Sequence, residues 1–307
     1  MLKPKKLATR NFLSSFDITT EEVVHILDLA KNFKNNDLDI KLEQKVLGLI
    51  FDKSSTRTRV SFQVAMSRLG GTTIDLNPNT SQIGRGEPIK DTARVLSRYC
   101  DVLAIRTFNQ SDLDEYAKWS SKPVINALTD LEHPCQALAD FMTIKEEFDD
   151  FKNVVLTFIG DGNNVANSLI LCGALLGSEI RIACPKGYEP NNMVIKKVNQ
   201  MQKNKDLLKI YNDPETAVLG ANVIYTDVWS SMGEENQRKE KDKDFKGFSV
   251  NDRLVRKASE NAIVLHCLPA YREKEITEEV IESKKSRIFD QAENRMHVQQ
   301  ALLACLL

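Results

Sequence analysis

Short apolar runs alternate with stretches whose apolar residues recur every three or four positions, and this alternation occurs twice along the chain. Val46-Leu47-Gly48-Leu49-Ile50-Phe51 opens the first series. A continuous apolar run of that length reads as a strand buried on both faces. Phe62, Ala65, Met66 and Leu69 then form a helical stripe, which Gly70-Gly71 ends. Ile74-Asp75-Leu76, Val102-Leu103-Ala104-Ile105 and Pro123-Val124-Ile125 continue the strands, with helical segments near 89–99 and 111–119. Upstream, Thr19-Thr20-Glu21-Glu22 has the form of a capping box, followed by Val23, Ile26, Leu27 and Ala30 at helical spacing.

The second series starts at Val154-Val155-Leu156-Thr157-Phe158-Ile159 and continues through a turn at Gly160-Asp161-Gly162 and a helix over about 165–176. Ile180–Ala183, Val223-Ile224-Tyr225 and Ile263-Val264-Leu265 supply its other strands. The pattern predicts an α/β chain of two domains, each a mainly parallel sheet flanked by helices. A helical stretch over 134–147 links them, and an amphipathic helix over about 292–306 ends the chain.

The 307 residues suit two medium domains better than one small core. With 42 basic and 43 acidic residues the net charge is −1, so no global field favours nucleic acid or a membrane surface. The sequence holds no run of about 18 apolar residues that could cross a bilayer as a helix. Its basic start, Met1-Leu2-Lys3-Pro4-Lys5-Lys6, precedes no apolar core of a secretory signal. Cys100, Cys135, Cys172, Cys184, Cys267 and Cys305 are scattered without the spacing of a zinc site or disulfide framework, which points to a reduced, cytoplasmic setting.

Ligands of open α/β sheets collect at the carboxyl ends of the strands. Five polar clusters stand directly after apolar strands: 52–59, Arg106, 161–164, 227–233 and 266–269. The first is the most informative. Ser54-Ser55-Thr56-Arg57-Thr58-Arg59 joins a strand to a helix, where free N–H groups and a partial positive charge attract anions. Hydroxyls donate to phosphate oxygens, and a guanidinium grips two at once. The blander alternative is a serine N-cap followed by solvated arginines. The glycines and lysine of a P-loop are absent, so a nucleoside triphosphate is not implied.

His133-Pro134-Cys135-Gln136 marks a helix start, since proline suits the first helical position. His133 can donate to a carbonyl oxygen and Gln136 can both donate and accept, which fits a carbamoyl amide as well as a structural role. Asp227-Val228-Trp229-Ser230-Ser231-Met232-Gly233 precedes a very polar run from Glu234 to Lys246. It reads either as a surface loop or as a lid carrying substrate contacts. Cys267 in His266-Cys267-Leu268-Pro269 is either a small buried hydrophobe or a thiol facing an amine. Gly160-Asp161-Gly162-Asn163-Asn164 is half of a dinucleotide fingerprint, but Val165 replaces its third glycine and no acid follows Ala183-Cys184-Pro185. A nicotinamide cofactor is therefore disfavoured, and the asparagines read as polar substrate contacts.

Together these segments resemble the ornithine carbamoyltransferases. Ser-Thr-Arg-Thr-Arg stands at 55–59, His-Pro-x-Gln at 133–136, Asp-x-Trp-x-Ser-Met-Gly at 227–233, His-Cys-Leu-Pro at 266–269 and Ala-Glu-Asn-Arg at 292–295. The Ser-Met-Gly loop, and Cys267 where aspartate carbamoyltransferases carry proline, favour ornithine over aspartate; Ala270 departs from the arginine many relatives carry there. The resemblance implies a carbamoyl-phosphate domain over 1–133, a linking helix over 134–147, an ornithine domain over 148–290 and a C-terminal helix over 291–307 packing back on the first domain. It implies a homotrimer with active sites at subunit interfaces, and no cofactor or metal. Ser55, Thr56, Arg57, Thr58, Arg106, His133 and Gln136 would hold carbamoyl phosphate, with Cys267, Leu268, Arg295 and, from an adjacent subunit, Gln82. Asn164, Asp227, Ser231 and Met232 would hold ornithine.

The implied reaction is carbamoyl phosphate plus ornithine giving citrulline plus phosphate. A side-chain amine of pKa about 10.4 is neutral in on the order of one molecule in a thousand at pH 7, and only that form attacks. Cys267, oriented through Asp227, is the candidate for selecting it. Thr58, Arg106 and His133 are the candidate donors to the carbamoyl oxygen. Another acceptor amine (putrescine or an acetylated ornithine), a non-catalytic binding protein, and a catabolic rather than biosynthetic role in arginine metabolism are the alternatives.

Overall fold

The computed structural model describes residues 2–77, 86–201, 207–230 and 235–307. The chain forms two compact units, Met1–Met142 with Glu293–Leu307, and Thr143–Ala292.

In the first unit, strands β1 (Val46–Phe51), β2 (Thr72–Leu76), β3 (Val102–Arg106) and β4 (Val124–Leu128) alternate with helices. Helix α1 (Thr20–Lys34) precedes β1; α2 (Arg57–Arg68), α3 (Ile89–Tyr99) and α4 (Gln110–Trp119) connect successive strands. The sheet is wholly parallel in the order β2-β1-β3-β4. Its centre is dry: every residue of β3 is buried, and so are Leu47 to Phe51 of β1. Ile50, Leu103, Ile105 and Val124 pack with Leu113 and Tyr116 of α4 into one core cluster. Burying one such aliphatic side chain is worth about 1.5–3 kcal/mol, which is why the continuous apolar runs become central strands. The capping box at α1 forms as expected, with Thr19 Oγ1 accepting from Glu22 N at 3.2 Å and Glu22 Oε2 accepting from Thr19 N at 2.8 Å. Gly70 follows α2 at φ +77°, a conformation that disfavours any side chain.

The second unit holds β5 (Val155–Ile159), β6 (Glu179–Ala183), β7 (Leu208–Tyr211), β8 (Val223–Thr226) and β9 (Ile263–His266). Helix α5 (Pro134–Phe148) leads into it and α6 (Asn164–Leu176) follows β5; α7 (Asn192–Met201), α8 (Pro214–Ala217), α9 (Arg238–Asp244), α10 (Asp252–Val255) and α11 (Glu278–Ile281) come next. The last helix, α12 (Ile288–Leu306), begins here and ends in the first unit. All described pairings are parallel, in the order β7-β6-β5-β8-β9.

Strand β7 and the four-residue helices were not visible in the periodicity. β7 is an edge strand, and Leu208-Lys209-Ile210-Tyr211 carries only a half-buried face. Helix α8 is set by its cap, Asp213 accepting from Thr216 N at 2.9 Å, rather than by an apolar stripe. The polar run after Gly233 is also more ordered than its composition suggests. Residues Arg238–Asp244 are helical, Lys241 is buried, and Phe245 is fully enclosed in a cluster with Trp229, Phe248 and Val250. Trp229 stacks on Phe245 at 5.7 Å between ring centroids, so it is a core residue.

Candidate active site

Each sheet reverses its strand order once, and the candidate residues gather at both reversals. In the first sheet the chain runs outward from β1 to β2 on one side and to β3 and β4 on the other. The crevice beyond the carboxyl ends of β1 and β3 is therefore the topological switch point. Asp52 N, donating to Arg106 O at 2.8 Å, ties the two strand ends together.

Helix α2 opens at Arg57 with Thr56 as N-cap, and no side chain caps it. A serine cap, the blander reading of the motif, is not what forms. The first-turn N–H groups therefore lack a side-chain acceptor from the cap. The two flanking arginines have different roles. Arg59 is ion-paired with Asp75 and lies over the Phe51 ring at 5.0 Å. Arg57 is half-buried at the helix start, beside Ser55. Thr58 is buried, and its hydroxyl oxygen accepts from Arg295 Nη2. That bond leaves the Thr58 hydroxyl proton to be donated elsewhere.

Arg106 ends β3 with 7% of its surface exposed, and Arg295 on α12 retains 3%. Both press on His133. Burial first, then the charges of Arg295 and Arg106, hold the imidazole well below its usual 6.5, so it is neutral at physiological pH. The turn that delivers it is anchored by Glu132, which is buried and accepts from Ser14 Oγ at 2.5 Å and Ser15 N at 3.0 Å. Burial pushes the Glu132 carboxyl above its usual range. Gln136, in the first turn of α5, donates through Nε2 to Asp140 at 2.8 Å. Its buried Oε1 has no hydrogen-bond partner among the described residues, so it is an acceptor available to an amide N–H. The neighbouring Cys135 is inert, its thiol pushed by burial to about 12.

In the second sheet the order reverses between β5 and β8. Asn163 N-caps α6 through Oδ1, accepting from Val165 N at 2.9 Å and Ala166 N at 3.2 Å. Its Nδ2 donates to Asp227 Oδ2 at 2.8 Å, across the switch point. The other oxygen, Oδ1, accepts from Val228 N at 2.8 Å and from the Cys267 thiol at 3.0 Å. Asp227 is buried, whereas Cys267 is the one cysteine of the six that is not. Three strand ends thus converge on one carboxylate.

His266 supports this arrangement from behind. Its Nδ1 accepts from Leu268 N at 2.8 Å, so its Nε2 carries the proton of the neutral ring and donates to Glu275 Oε1 at 3.2 Å. Gln291 Oε1 accepts from His266 N at 2.9 Å, and Gln291 Nε2 donates to Tyr225 Oη at 3.0 Å. Leu268 sits at φ +57° before a cis bond to Pro269. Ligand atoms of Asp227, His266 and Cys267 lie within 4.8 Å of one another. With both imidazole nitrogens engaged, however, His266 has no lone pair to offer a metal.

The half dinucleotide fingerprint has a different explanation. A Cβ on Gly162 would lie 2.7 Å from Tyr188 O and collide with the Pro190 backbone. Gly162 is thus needed for loop packing, and Gly162 N donates to Tyr188 O at 2.9 Å. Of the expected residues, Thr58, Arg106, His133 and Arg295 cluster in the first unit, and Asp227 with Cys267 in the second. Asn164 stands in the first turn of α6, next to the asparagine that holds Asp227. Gln82, Ser231 and Met232 lie outside the described residues. Sequence reasoning passed over Asn163 as an individual residue, although an asparagine before a helical stripe is a recognisable cap. It also missed Glu132, Glu275 and Gln291, whose roles depend on contacts distant in sequence.

Two family descriptions match successive stretches of the chain. Residues 10–146 match the family description "Aspartate/ornithine carbamoyltransferase, carbamoyl-P binding domain", and residues 152–306 match its "Asp/Orn binding domain". The chain belongs to the aspartate/ornithine carbamoyltransferase family. Within it, the chain is 80% identical to the ornithine carbamoyltransferase of Prochlorococcus marinus subsp. pastoris over the full length of both. Among solved structures it is similar to the ornithine carbamoyltransferase of Pyrococcus furiosus, with 46% identity, a TM-score of 0.91 and coverage of 99% of this chain and 97% of that one. It is also similar to the anabolic ornithine carbamoyltransferase of Campylobacter jejuni, with 40% identity, a TM-score of 0.92 and coverage of 97% and 99%. Among the described residues no helix is long and apolar enough to cross a membrane.

Proposed function

We propose that this chain transfers the carbamoyl group of carbamoyl phosphate to the side-chain amine of L-ornithine, giving L-citrulline and phosphate, in the service of arginine biosynthesis. The observation that carries this reading is the Asp227 carboxylate at the second switch point, oriented by Asn163 and accepting from the Cys267 thiol. A fixed carboxylate beside a thiol suits a substrate with one permanent ammonium group and one amine that must react neutral.

The first unit would bind carbamoyl phosphate. Arg57, the hydroxyls of Ser55, Thr56 and Thr58, and the first-turn N–H groups of α2 would take the phosphate. Arg106 would bridge phosphate and carbamoyl oxygen, and Arg295 would add charge through its bond to Thr58. Neutral His133 would donate to the carbamoyl oxygen without competing for the phosphate as a second cation, and the open Gln136 Oε1 would accept from the carbamoyl amide. The second unit would bind ornithine, Asp227 and Asn164 holding its amino-acid end. Contacts of Gln82, Cys267 and Leu268 with carbamoyl phosphate, and of Ser231 and Met232 with ornithine, belong to the same proposal and rest on the family resemblance.

In the transfer step the neutral amine nitrogen bonds to the carbamoyl carbon. The carbon–oxygen bond to phosphate breaks with its electron pair leaving on oxygen, and the amine's surplus proton passes to the phosphate. Cys267 near that nitrogen would favour the neutral amine. We further propose a homotrimer acting in the cytoplasm, with Gln82 supplied by a neighbouring subunit. The test is citrulline formation by the purified protein from carbamoyl phosphate and ornithine, set against putrescine and acetylornithine. Turnover with ornithine alone is the expected result; turnover with another amine but not ornithine would overturn the assignment.

A further inference from the structure

The run Arg238-Lys239-Glu240-Lys241-Asp242-Lys243-Asp244 looks like a solvated charged helix, yet one of its lysines is not solvated. Lys241 keeps 4% of its side-chain surface, and its Nζ lies 2.6 Å from Asp161 Oδ2. Its ammonium also lies over the Tyr188 ring, 5.9 Å from the centroid. Tyr188 in turn donates to Asp244 Oδ2 at 2.8 Å and packs edge-on against Phe245 at 4.8 Å. Helix α9 is thereby fixed to the loop after β6 by one hydroxyl and one ring, and to the loop after β5 by the charge of Lys241.

That loop is short and cannot yield independently at its two ends. Gly160 leaves β5, Gly162 is wedged against the backbone of 188–190, and Asn163 caps α6. Asp161 therefore stands two residues from Asn163 on a constrained turn. From Lys241 the contacts run through Asp161 and this turn to Asn163, then Asp227, then Cys267. With the lysine buried and the aspartate half-buried, the pair brings little net stability, because desolvation of the lysine offsets its attraction. Registry is its better-attested use, and here the register it fixes is that of the turn aiming Asp227.

We infer that the Lys241–Asp161 pair is a positioning device for the second substrate, holding the 160–163 turn so that Asn163 presents the Asp227 carboxylate to Cys267 and to the incoming amino acid. Neither residue touches the reacting atoms; both act through Asn163. This inference rests on the proposed ornithine site, so its test needs a measurement that does not require turnover.

The variant is Lys241→Met, with Lys241→Arg as the conservative control. In Lys241→Met the KM for ornithine rises about tenfold while that for carbamoyl phosphate stays within about twofold, and Lys241→Arg returns the ornithine value to within about threefold of the parent. Alkylation of Cys267 by iodoacetamide, followed by peptide mass spectrometry, speeds up about threefold at pH 8 as the Asp227 carboxylate loses its fixed position beside the thiol. An unchanged ornithine KM with unchanged alkylation overturns the inference. So does a parallel rise of both KM values together with a lower melting temperature, which is the mark of a purely structural pair. Asp161→Asn keeps a hydrogen bond to Lys241 and is read by the same two measurements, with smaller expected changes in the same directions. It supplies the test if Lys241→Met folds poorly. Absence of citrulline formation by the parent protein would refute the proposed activity, while the alkylation rates still decide this point.

Discussion

His133 offers a prediction that depends on no bound substrate. Its folded-state pKa is depressed by burial first and by Arg295 and Arg106 second, whereas in the unfolded chain it returns to about 6.5. The folded protein therefore binds fewer protons at this site than the unfolded one once pH falls below about 6.5. The full contribution to stability is present above that value and is lost as pH drops. Between pH 7.5 and 5.5 an unfolded histidine of pKa about 6.5 takes up most of a proton while the buried one takes up less, a loss on the order of 1 kcal/mol. His297, also lowered by burial, adds its own acid sensitivity, so the quantity to read is the difference between the parent and His133→Gln. Urea unfolding at pH 7.5 and 5.5 should show the parent losing on the order of 1 kcal/mol more than the variant. The ring resonances give a second reading. The chain has four histidines, and the signal absent from His133→Gln should stay in its neutral position as pH falls through 6.5. In Arg295→Met that resonance should titrate at higher pH, without regaining 6.5, because burial is the largest cause of the shift. Equal acid sensitivity in parent and variant would refute the reasoning, since it would mean that His133 takes its proton in the folded state.

The other predictions concern the two switch points. Arg57→Gly should weaken carbamoyl-phosphate binding by about 2 kcal/mol or more, roughly thirtyfold, by calorimetry. Arg59→Gly, which loses only the Asp75 ion pair and the Phe51 contact, should leave that affinity nearly unchanged. Equal losses in both variants would refute the division of roles. Cys267→Ser should lower kcat by about a hundredfold or more with little effect on carbamoyl-phosphate affinity, and an unchanged kcat would remove the thiol from the chemistry. Asn163→Ala should cost about 1 kcal/mol of stability through the lost cap, read in urea, and should raise the ornithine KM in steady-state kinetics. A stability loss with no change in KM would reduce Asn163 to a cap.

The parts of this molecule legible in sequence are those set by local chemistry. Six apolar residues at 46–51 make a central strand whatever lies elsewhere, and the Thr19–Glu22 box closes on itself within four residues. The helix start at 56–57 is legible for the same reason, because the apolar strand before it and the helical stripe after it are both local. What could not be read depends on a partner far along the chain. Arg57 and Arg59 are equivalent in the motif and differ only because Asp75, on β2, claims one of them. Lys241 is one of many charges in its run and is singled out by Asp161, 80 residues upstream. Trp229 lies in the 227–233 stretch, which by its polar neighbours reads as a surface loop or a lid. It is core because Phe245, near the end of the polar run, folds back onto it.

The order β7-β6-β5-β8-β9 is one that could hold a dinucleotide, and the turn after β5 keeps two of the glycines expected there. What redirects it is the use made of the crevice. In a dinucleotide site the turn must leave room for pyrophosphate, and its helix start must keep free N–H groups to bind it. Here Asn163 occupies the helix start with its own side-chain oxygen and spends its amide on Asp227. A carboxylate stands where a phosphate would need positive charge, and the Tyr188–Pro190 backbone lies against Gly162. The first unit shows the opposite treatment of the same feature: the start of α2 has no side-chain cap, and Arg57 stands beside it. A capped helix start facing a carboxylate favours a cationic ligand, and an uncapped one beside a guanidinium favours an anion. The two sheets thus use one topological rule with opposite charge, matching an amine acceptor to one unit and a phosphorylated donor to the other.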